Sequence, residues 1–191
     1  MKKIPIGVSN RHIHVSETDL YKLFGSEYDL NNIKDLGQPG QYACEETVEL
    51  CGPKGCFPKV RILGPTRGDT QVEISLTDSY ALGIKNVPVK DSGDHKGTPG
   101  ATLKGPKGIV ELEKGVIVAK RHIHMTQEDA KDLNVKDKDY VEVETVENNR
   151  QLIFKNVLVR VKDSYALEMH VDIDEANAAM LRNGDLVSIV K

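Results

Sequence analysis

Short runs of β-branched and other apolar residues recur along the chain, and several alternate with polar residues at a period of two. These runs occupy residues 48–50, 60–63, 71–75, 115–119, 140–146, 152–161 and 186–190. Turns rich in Gly and Pro separate them, for example at residues 52–55 and 105–108. Closely spaced short strands joined by such turns predict a mainly β fold built from barrels or sandwiches.

Helices are predicted to be few and short. The stretch Ser16-Glu17-Thr18-Asp19 resembles a capping box and precedes apolar residues up to Gly25, where the helix is expected to end. Residues 126–129 repeat this helix start, and residues 174–181 predict a third helix. Residues 91–108 are rich in Asp, Gly, Lys and Pro and predict an exposed loop.

An internal repeat relates the two parts of the chain. Residues 9–20 read SNRHIHVSETDL and residues 119–130 read AKRHIHMTQEDA. A second pair, DSYAL, occurs at residues 78–82 and 163–167. A period this long indicates two similar subdomains rather than a solenoid of short repeats. In both copies the H-x-H pair is predicted on extended chain just before a helix.

Composition narrows the class of protein. A chain of 191 residues forms one domain or two small ones. A hydrophobic fraction of 39% and a charged fraction of 29% exclude a disordered chain. The net charge of −3 disfavours a broad nucleic-acid surface, and an aromatic fraction of 5% without Trp disfavours a stacking platform. No apolar run approaches the roughly 20 residues of a membrane span.

The three cysteines carry no metal-binding signature. Cys44, Cys51 and Cys56 are spaced C-x6-C and C-x4-C, without a C-x-x-C motif. We therefore expect reduced, partly buried thiols. Together with an N-terminus that shows no apolar signal segment, this favours a cytoplasmic location.

The histidines are the strongest candidates for chemistry. Four of the six lie in the two H-x-H pairs, His12 with His14 and His122 with His124. Residues i and i+2 of a strand point to the same side, so the imidazoles of each pair can converge on one metal. A single pair is more often two ordinary surface or capping histidines, but two copies in a repeated R-H-I-H motif favour metal binding.

Glu73, His170 and Arg67 are further candidates for chemistry. A catalytic zinc needs at least one more protein ligand, and Glu73 and His170 are candidates. His95 lies in the polar loop and is expected to be exposed to solvent. The Gly-rich stretch 64–70 contains Arg67, which can hold an oxyanion bidentately, although the stretch lacks the spacing of a P-loop.

Five motifs, in order along nearly the whole chain, resemble those of the phosphate propanoyltransferase family, the PduL-type phosphate acyltransferases. They are VSNRHIH at 8–14, VRILGPTR at 60–67, QVEIS at 71–75, KRHIH at 120–124 and MHVD at 169–172. The resemblance implies an internally duplicated fold of two linked β-barrels with short capping helices. One barrel would comprise residues 1–10 and 119–191, and the other residues 11–118 with a helical insertion near residues 16–36.

The resemblance also implies a site with two divalent metal ions, usually zinc. His12, His14 and Glu73 would hold one ion, and His122, His124 and His170 would hold the other. Arg67 would bind phosphate. Ser9, Lys34 and Arg61 match positions that contact coenzyme A in the family.

The implied reaction converts a short-chain acyl-CoA, acetyl or propanoyl, and inorganic phosphate to an acyl phosphate and CoA. Phosphate is a competent nucleophile at neutral pH, and the cysteines do not cluster with the histidine motifs. Direct transfer without an acyl-cysteine is therefore expected. Family members that enter bacterial microcompartments carry an extra amphipathic N-terminal segment, which we do not see ahead of the first motif, so a free cytoplasmic enzyme is expected. A homodimer is the default assembly.

Two other functions fit the residue pattern. A two-metal hydrolase, such as a thioesterase or an amidohydrolase, would use water in place of phosphate, and Arg67 would then matter little. A non-catalytic metal-binding module would fill its coordination spheres and turn over no acyl-CoA. The pattern alone supports transferase and hydrolase equally, and the match along the whole chain favours the transferase.

Overall fold

A computed structural model describes residues 2–190 and shows a mainly β protein. Its strands are β1 Ile4–Ser9, β2 His12–His14, β3 Asn32–Asp35, β4 Tyr42–Cys51, β5 Cys56–Gly64, β6 Gln71–Glu73, β7 Val89–Lys90, β8 Ala101–Lys104, β9 Ile109–Leu112, β10 Val116–Ala119, β11 His122–Met125, β12 Tyr140–Glu144, β13 Ile153–Val161, β14 Glu168–Asp172 and β15 Leu186–Ile189. Its helices within this range are α1 Glu17–Phe24, α2 Leu76–Leu82, α3 Gln127–Leu133 and α4 Ile173–Ala179.

The first of two compact units is built on a closed barrel. It contains the residues up to Asn10, Gly37–Pro39 and the residues from Lys120 onward. Six strands close in the order β1-β14-β11-β13-β12-β15. Closure leaves no unpaired sheet edge, which otherwise is a template for aggregation. The barrel core is aliphatic and includes Ile4, Ile6, Ile123, Met125 and Met169, all at most 1% exposed.

The second unit, Arg11–Leu36 and Gly40–Ala119, is built on one nine-stranded sheet curled into a half-barrel. The strand order is β7-β10-β6-β2-β5-β4-β8-β9, and β3 pairs with β4 beside this path. Its own core includes Ile13, Leu23, Leu50, Ile62 and Leu103, all fully buried. The predicted mainly β fold class with short helices is confirmed.

The two units repeat one arrangement of strands. In the second unit β2 runs parallel to β5 and antiparallel to β6. In the first unit β11 runs parallel to β13 and antiparallel to β14. Each H-x-H strand is followed by a helix with a Ser or Thr cap, α1 after Ser16 and α3 after Thr126, as the sequence predicts. The duplication seen in the sequence is therefore a duplication of local structure.

The arginine of each R-H-I-H motif ties its strand to a helix. Arg11 donates to Asp78 at 2.7 Å, and its guanidinium lies 4.1 Å from the centre of the Phe57 ring. Arg121 donates to Glu175 at 2.6 Å and lies 5.4 Å from the centre of the Phe154 ring. Asp78 in α2 and Glu175 in α4 both occupy the N3 position of a capping box, the third residue of the helix. A partly buried, charged hydrogen bond thus aligns each H-x-H strand with a helix start.

The second sequence repeat, DSYAL, has no structural counterpart. Residues 78–82 lie in α2, whereas residues 163–167 form the connection between β13 and β14. By position in the duplicated arrangement, that connection corresponds to residues 65–70, between β5 and β6, and α2 corresponds to α4. The distance along the chain from RHIH to DSYAL differs between the two units because DSYAL lies in a helix in one unit and in a loop in the other.

Other elements differ from the sequence predictions in extent. Residues 91–108, predicted as an exposed loop, contain β8, which pairs with both β4 and β9. Helix α2 was missed although Ser75 and Asp78 form a capping box of the kind recognised at Ser16. The third predicted helix is observed as α4, Ile173–Ala179, and ends at Met180 in the left-handed conformation.

The expectation of reduced thiols is wrong for two of the three cysteines. Cys51 and Cys56 form a disulfide across the β4–β5 hairpin, where they face each other in register with a Cα–Cα distance of 4.1 Å. The tight turn of residues 52–55 brings the two together, which the bare C-x4-C spacing does not reveal. Cys44 is free and buried.

Candidate metal centres

Strands β2 and β6 bring His12, His14 and Glu73 together in the second unit. His12 faces Glu73 in the antiparallel ladder. The Nε2 atoms of His12 and His14 lie 3.5 Å and 3.9 Å from the two Glu73 carboxylate oxygens. One ligand atom from each residue lies within 4.8 Å of the others, and all three residues are buried. Ile13, between the histidines, points the other way into the core.

Desolvation keeps His14 neutral. Burial, aided by the nearby His12 and Arg67, lowers the pKa of His14 to about 3, although Glu73 acts in the opposite sense. A histidine with so low a pKa is an imidazole rather than an imidazolium at pH 7. It therefore offers a lone pair, which is the form that binds a metal ion.

Strands β11 and β14 bring His122, His124 and His170 together in the first unit. His122 faces His170 in the antiparallel ladder. The ring centres lie 4.6 Å apart for His122 and His124, and 5.1 Å from each of these to His170. One nitrogen from each ring lies within 4.8 Å of the others.

Neighbouring groups bear on the tautomer of His122 and on the pKa of His124. The Nδ1 of His122 lies 2.7 Å from the Lys120 carbonyl oxygen, which can only accept, so Nδ1 carries the proton. When this ring is neutral its lone pair is on Nε2, which lies 2.7 Å from Nε2 of His124. Burial, with help from His122 and His170, lowers the pKa of His124 to about 2.

Both donor sets fit a divalent ion with an open coordination position. Two imidazoles with a carboxylate, and three imidazoles, are the two protein donor sets most typical of catalytic zinc. In a tetrahedral site with bonds of about 2.0–2.2 Å, donor atoms lie about 3.4 Å apart. The separations of 3.5 Å and 3.9 Å in the second unit's cluster are close to this value, whereas Nε2 of His122 and Nε2 of His124 are closer, at 2.7 Å. The structure brings together each predicted ligand set, and metal binding by it stays a prediction.

Each candidate third ligand is contacted by the residue two positions before it on the same strand. In β6, Gln71 donates from Nε2 to Oε1 of Glu73 at 2.6 Å. In β14, Nε2 of His170 lies 2.7 Å from Oε2 of Glu168. Burial pushes the pKa of Glu168 upward, but the hydrogen bonds from His170 and Gln38 outweigh it and hold that pKa below its usual value. Neither Gln71 nor Glu168 was predicted from the sequence to take part in the site.

Arg67 lies beside the second unit's histidine and glutamate cluster. Its backbone N–H donates to the Val15 carbonyl at 2.8 Å, which fixes the loop against the end of β2. Its guanidinium donates to the Ser92 hydroxyl at 3.0 Å, and that hydroxyl donates to Oε1 of Glu73 at 3.1 Å. A single serine therefore joins the candidate phosphate-binding cation to a candidate metal ligand. Nothing in the sequence around Ser92 signals this contact.

The loop that carries Ser92 is anchored to β6 and is not simply exposed. The Gly93 N–H donates to Oε1 of Gln71 at 2.7 Å, and Nε2 of His95 lies 2.9 Å from the same oxygen. The side chain of His95 is only 9% exposed. The prediction that His95 is solvent-exposed is therefore wrong, because a polar loop composition does not reveal that the loop folds back onto Gln71.

The three candidate coenzyme A residues lie on three different strands, β1, β3 and β5. Ser9 ends β1 and is half-buried, whereas Lys34 is exposed on β3. Arg61, on β5, donates to the carbonyls of Cys44 and Glu45 at 2.6 Å and 3.1 Å. Coenzyme A binding by these residues stays a prediction.

One further group has metal-ligating side chains. Glu49, Cys51 and Cys56 lie within reach of a common ion. The two cysteines form the disulfide, so their thiolates are not available as ligands. Among the described residues, the two clusters on the H-x-H strands are the remaining candidates, one with three imidazoles and the other with two imidazoles and a carboxylate.

The fold and the sites define a duplicated, mainly β protein with one candidate metal centre in each unit. Residues 5–182 match the family model of the phosphate propanoyltransferases. The chain is 58% identical over 188 residues to a phosphate propanoyltransferase of Thermotoga maritima, covering 98% of this chain and 89% of that protein. It is 51% identical to one of Clostridioides difficile (98% and 89%) and 52% identical to one of Sebaldella termitidis (97% and 87%). The chain belongs to the phosphate propanoyltransferase family, a family of acyltransferases.

No helix within residues 2–190 is both long enough and apolar enough to cross a membrane. The cytoplasmic location expected from the sequence stays a prediction.

The lowered pKa values of His14 and His124 predict that the metal-free protein loses stability as pH falls from 7.5 to 5.5. The unfolded chain takes up protons on these histidines below about pH 6.5, whereas the native state resists protonation. Each histidine should lower the free energy of unfolding by about 1 kcal/mol per pH unit below that value. Urea unfolding in the presence of a chelator measures the slope.

The matched variants are His14→Gln and His124→Gln, whose side chains do not titrate in this range. Each should flatten the pH dependence of the free energy of unfolding by one histidine's share. A slope equal to that of the parent protein in both variants would show that the two imidazoles are not held neutral by burial.

Proposed function

We propose that the protein transfers a short-chain acyl group, acetyl or propanoyl, between coenzyme A and inorganic phosphate. The supporting observation is that the family match spans residues 5–182 and that both three-residue clusters are assembled within it. The reaction joins the acyl carbon to a phosphate oxygen and breaks the thioester bond, so that the acyl phosphate and free CoA are formed.

In this proposal Arg67 binds phosphate. Its guanidinium is a planar donor suited to an oxyanion, and it lies close enough to His14 to lower that residue's pKa. The Ser92 hydroxyl, between Arg67 and Glu73, limits the orientations of the guanidinium. Holding phosphate beside the thioester carbon lowers the barrier mainly through proximity and orientation.

We propose that each cluster holds one divalent ion, zinc by its preference for imidazole and carboxylate donors. When bound by His12, His14 and Glu73, zinc supplies a thiophilic Lewis acid suited to a leaving CoA sulfur. The burial of these three residues excludes water from the ligand atoms and strengthens charge interactions there. One preorganised donor aimed at the developing oxyanion is typically worth about 3–4 kcal/mol.

Direct transfer is supported by the state of the cysteines. Burial raises the pKa of Cys44 to about 11, so its thiol is not ionised at neutral pH. Cys51 and Cys56 form the disulfide. None of the three therefore presents a thiolate, the form needed to attack a thioester. The homodimer expected from the sequence stays a prediction.

Phosphate-dependent release of CoA tests the proposed reaction. Metal-replete protein should release CoA from acetyl-CoA and propanoyl-CoA only when phosphate is present. Arg67→Ala should lower kcat/KM for phosphate by about 100-fold or more, because it removes the cation that binds phosphate and orients it for attack. A thiol reagent measures the release, and the two rates order the substrates.

Arg150→Ala is the matched control, since this exposed arginine lies in the first unit and its guanidinium donates to the Asn177 carbonyl at 3.4 Å. It should leave the rate unchanged. Release at the same rate without phosphate would identify a thioesterase instead. No release in either condition would favour a non-catalytic metal-binding module.

Mass spectrometry of the intact protein during turnover tests direct transfer. No increase of one acyl mass is expected at any time point after rapid quenching in acid, which preserves thioesters. An acyl group on Cys44, Cys51 or Cys56 that forms and decays at the rate of turnover would contradict direct transfer.

A further inference from the structure

Glu168 is a carboxylate to which the proposed reaction gives no role. It lies in β14 two residues before His170, so both side chains leave the strand on the same face. It faces His124 in the antiparallel ladder. Its Oε2 lies 2.7 Å from Nε2 of His170, and its side chain is 20% exposed. Glu168 thus contacts a candidate ligand at the rim of the first unit's cluster.

Gln38 holds the Glu168 carboxylate from a second direction. Its Nε2 donates to Oε2 of Glu168 at 3.0 Å and to the Ala166 carbonyl at 3.0 Å. Its Oε1 accepts from the Ala166 N–H at 3.3 Å. Gln38 is 3% exposed, so the backbone before β14 fixes its amide in place. The carboxylate is therefore positioned by donors on two sides.

Two glycines make the space that Glu168 occupies. A Cβ at Gly37 would lie 2.5 Å from Oε2 and 2.6 Å from Oε1 of Glu168. A Cβ at Gly7 would lie 2.8 Å from Oε1 and 2.9 Å from Cδ2 of His170. Neither glycine has a backbone conformation that other residues avoid. Space for the Glu168 and His170 pair is thus the requirement at both positions.

The second unit contains a corresponding pair of residues, in which the carboxylate and the hydrogen-bond donor occupy the opposite positions. There the ligand position carries the carboxylate Glu73, and the position two residues earlier carries the donor Gln71, at 2.6 Å. In the first unit the ligand position carries the donor His170 and the earlier position carries the carboxylate. Each strand therefore supplies one carboxylate and one donor to its cluster, in opposite order.

We infer that Glu168 is a positioning residue, which holds the ring of His170 in the orientation that binds the first unit's metal ion. Carboxylates that accept from the second nitrogen of a metal-binding histidine fix its tautomer and orientation. Accepting from Nε2–H leaves the Nδ1 lone pair of His170 for the ion. The inference rests on the proposed metal site, and it adds a residue for which that proposal has no function.

Metal titration of the full chain tests this role. The parent protein, stripped of metal, should bind two equivalents of Co²⁺ or Zn²⁺. In Glu168→Gln the affinity of the protein for one of the two metal ions should fall by about 10- to 100-fold, while its affinity for the other ion should be unchanged. The visible spectrum of bound Co²⁺ should keep its pattern, because no ligand has been removed. Glu147→Gln, an exposed carboxylate of the same unit, is the matched control.

A second variant reaches the same carboxylate without altering it. In Gly37→Ala the added methyl group must displace the Glu168 carboxylate, which is the end of a flexible side chain. The same one-site loss of affinity is expected. Gly68→Ala, where a Cβ meets nothing within 4 Å, is the control.

A double variant that places the second unit's residue pair in the first unit gives the most stringent test. The double variant Glu168→Gln with His170→Glu reproduces the Gln71 and Glu73 pair in the first unit. It should bind the second equivalent more tightly than either single variant does. A loss in the double variant equal to the product of the two single losses would overturn the inference.

The remaining outcomes are distinct. Wild-type affinity for both equivalents in Glu168→Gln and Gly37→Ala would overturn the positioning role while leaving the two-metal proposal intact. A changed Co²⁺ spectrum in Glu168→Gln would make Glu168 a ligand and also overturn it. Failure of the parent protein to bind two equivalents would instead contradict the proposed metal sites.

Discussion

Both candidate sites depend on one constraint, the antiparallel pairing of two strands. One strand carries the H-x-H pair, and the other carries the candidate third ligand. The period of two places both histidines on one face, while Ile13 or Ile123 anchors the opposite face in a core. The register then sets His12 opposite Glu73 and His122 opposite His170. A slip of one residue would send the histidines into the core, so the aliphatic packing that stabilises each unit also fixes its site.

Burial gives these sites their charge state. Removal from water favours the neutral form of His14 and His124, and neutral imidazoles are donors for a cation. The buried carboxylate of Glu73 accepts hydrogen bonds from Gln71 and Ser92. Arg67 adds a positive charge next to this cluster. Each buried charge is thus compensated by a named partner.

Much of the fold was accessible from the sequence, because alternation and turn residues are local signals. The strands at 60–63 and 152–161 and the capped helix after Ser16 were predicted. Helix α2 was missed, although its cap has the same form. The H-x-H spacing predicted two ligands in each cluster and left Glu73 and His170 as candidates for a third, and the family resemblance assigned Glu73 to one cluster and His170 to the other. Ser92 and Glu168 were not predicted, because their contacts depend on loop folding and on side chains far apart in the chain.

Anomalous diffraction at the zinc edge, from crystals of the zinc-loaded protein, tests the central claim most directly. The account predicts one strong peak among His12, His14 and Glu73, and a second among His122, His124 and His170. Zinc absent from both clusters, or bound instead beside Glu49 and the Cys51–Cys56 disulfide, would contradict it.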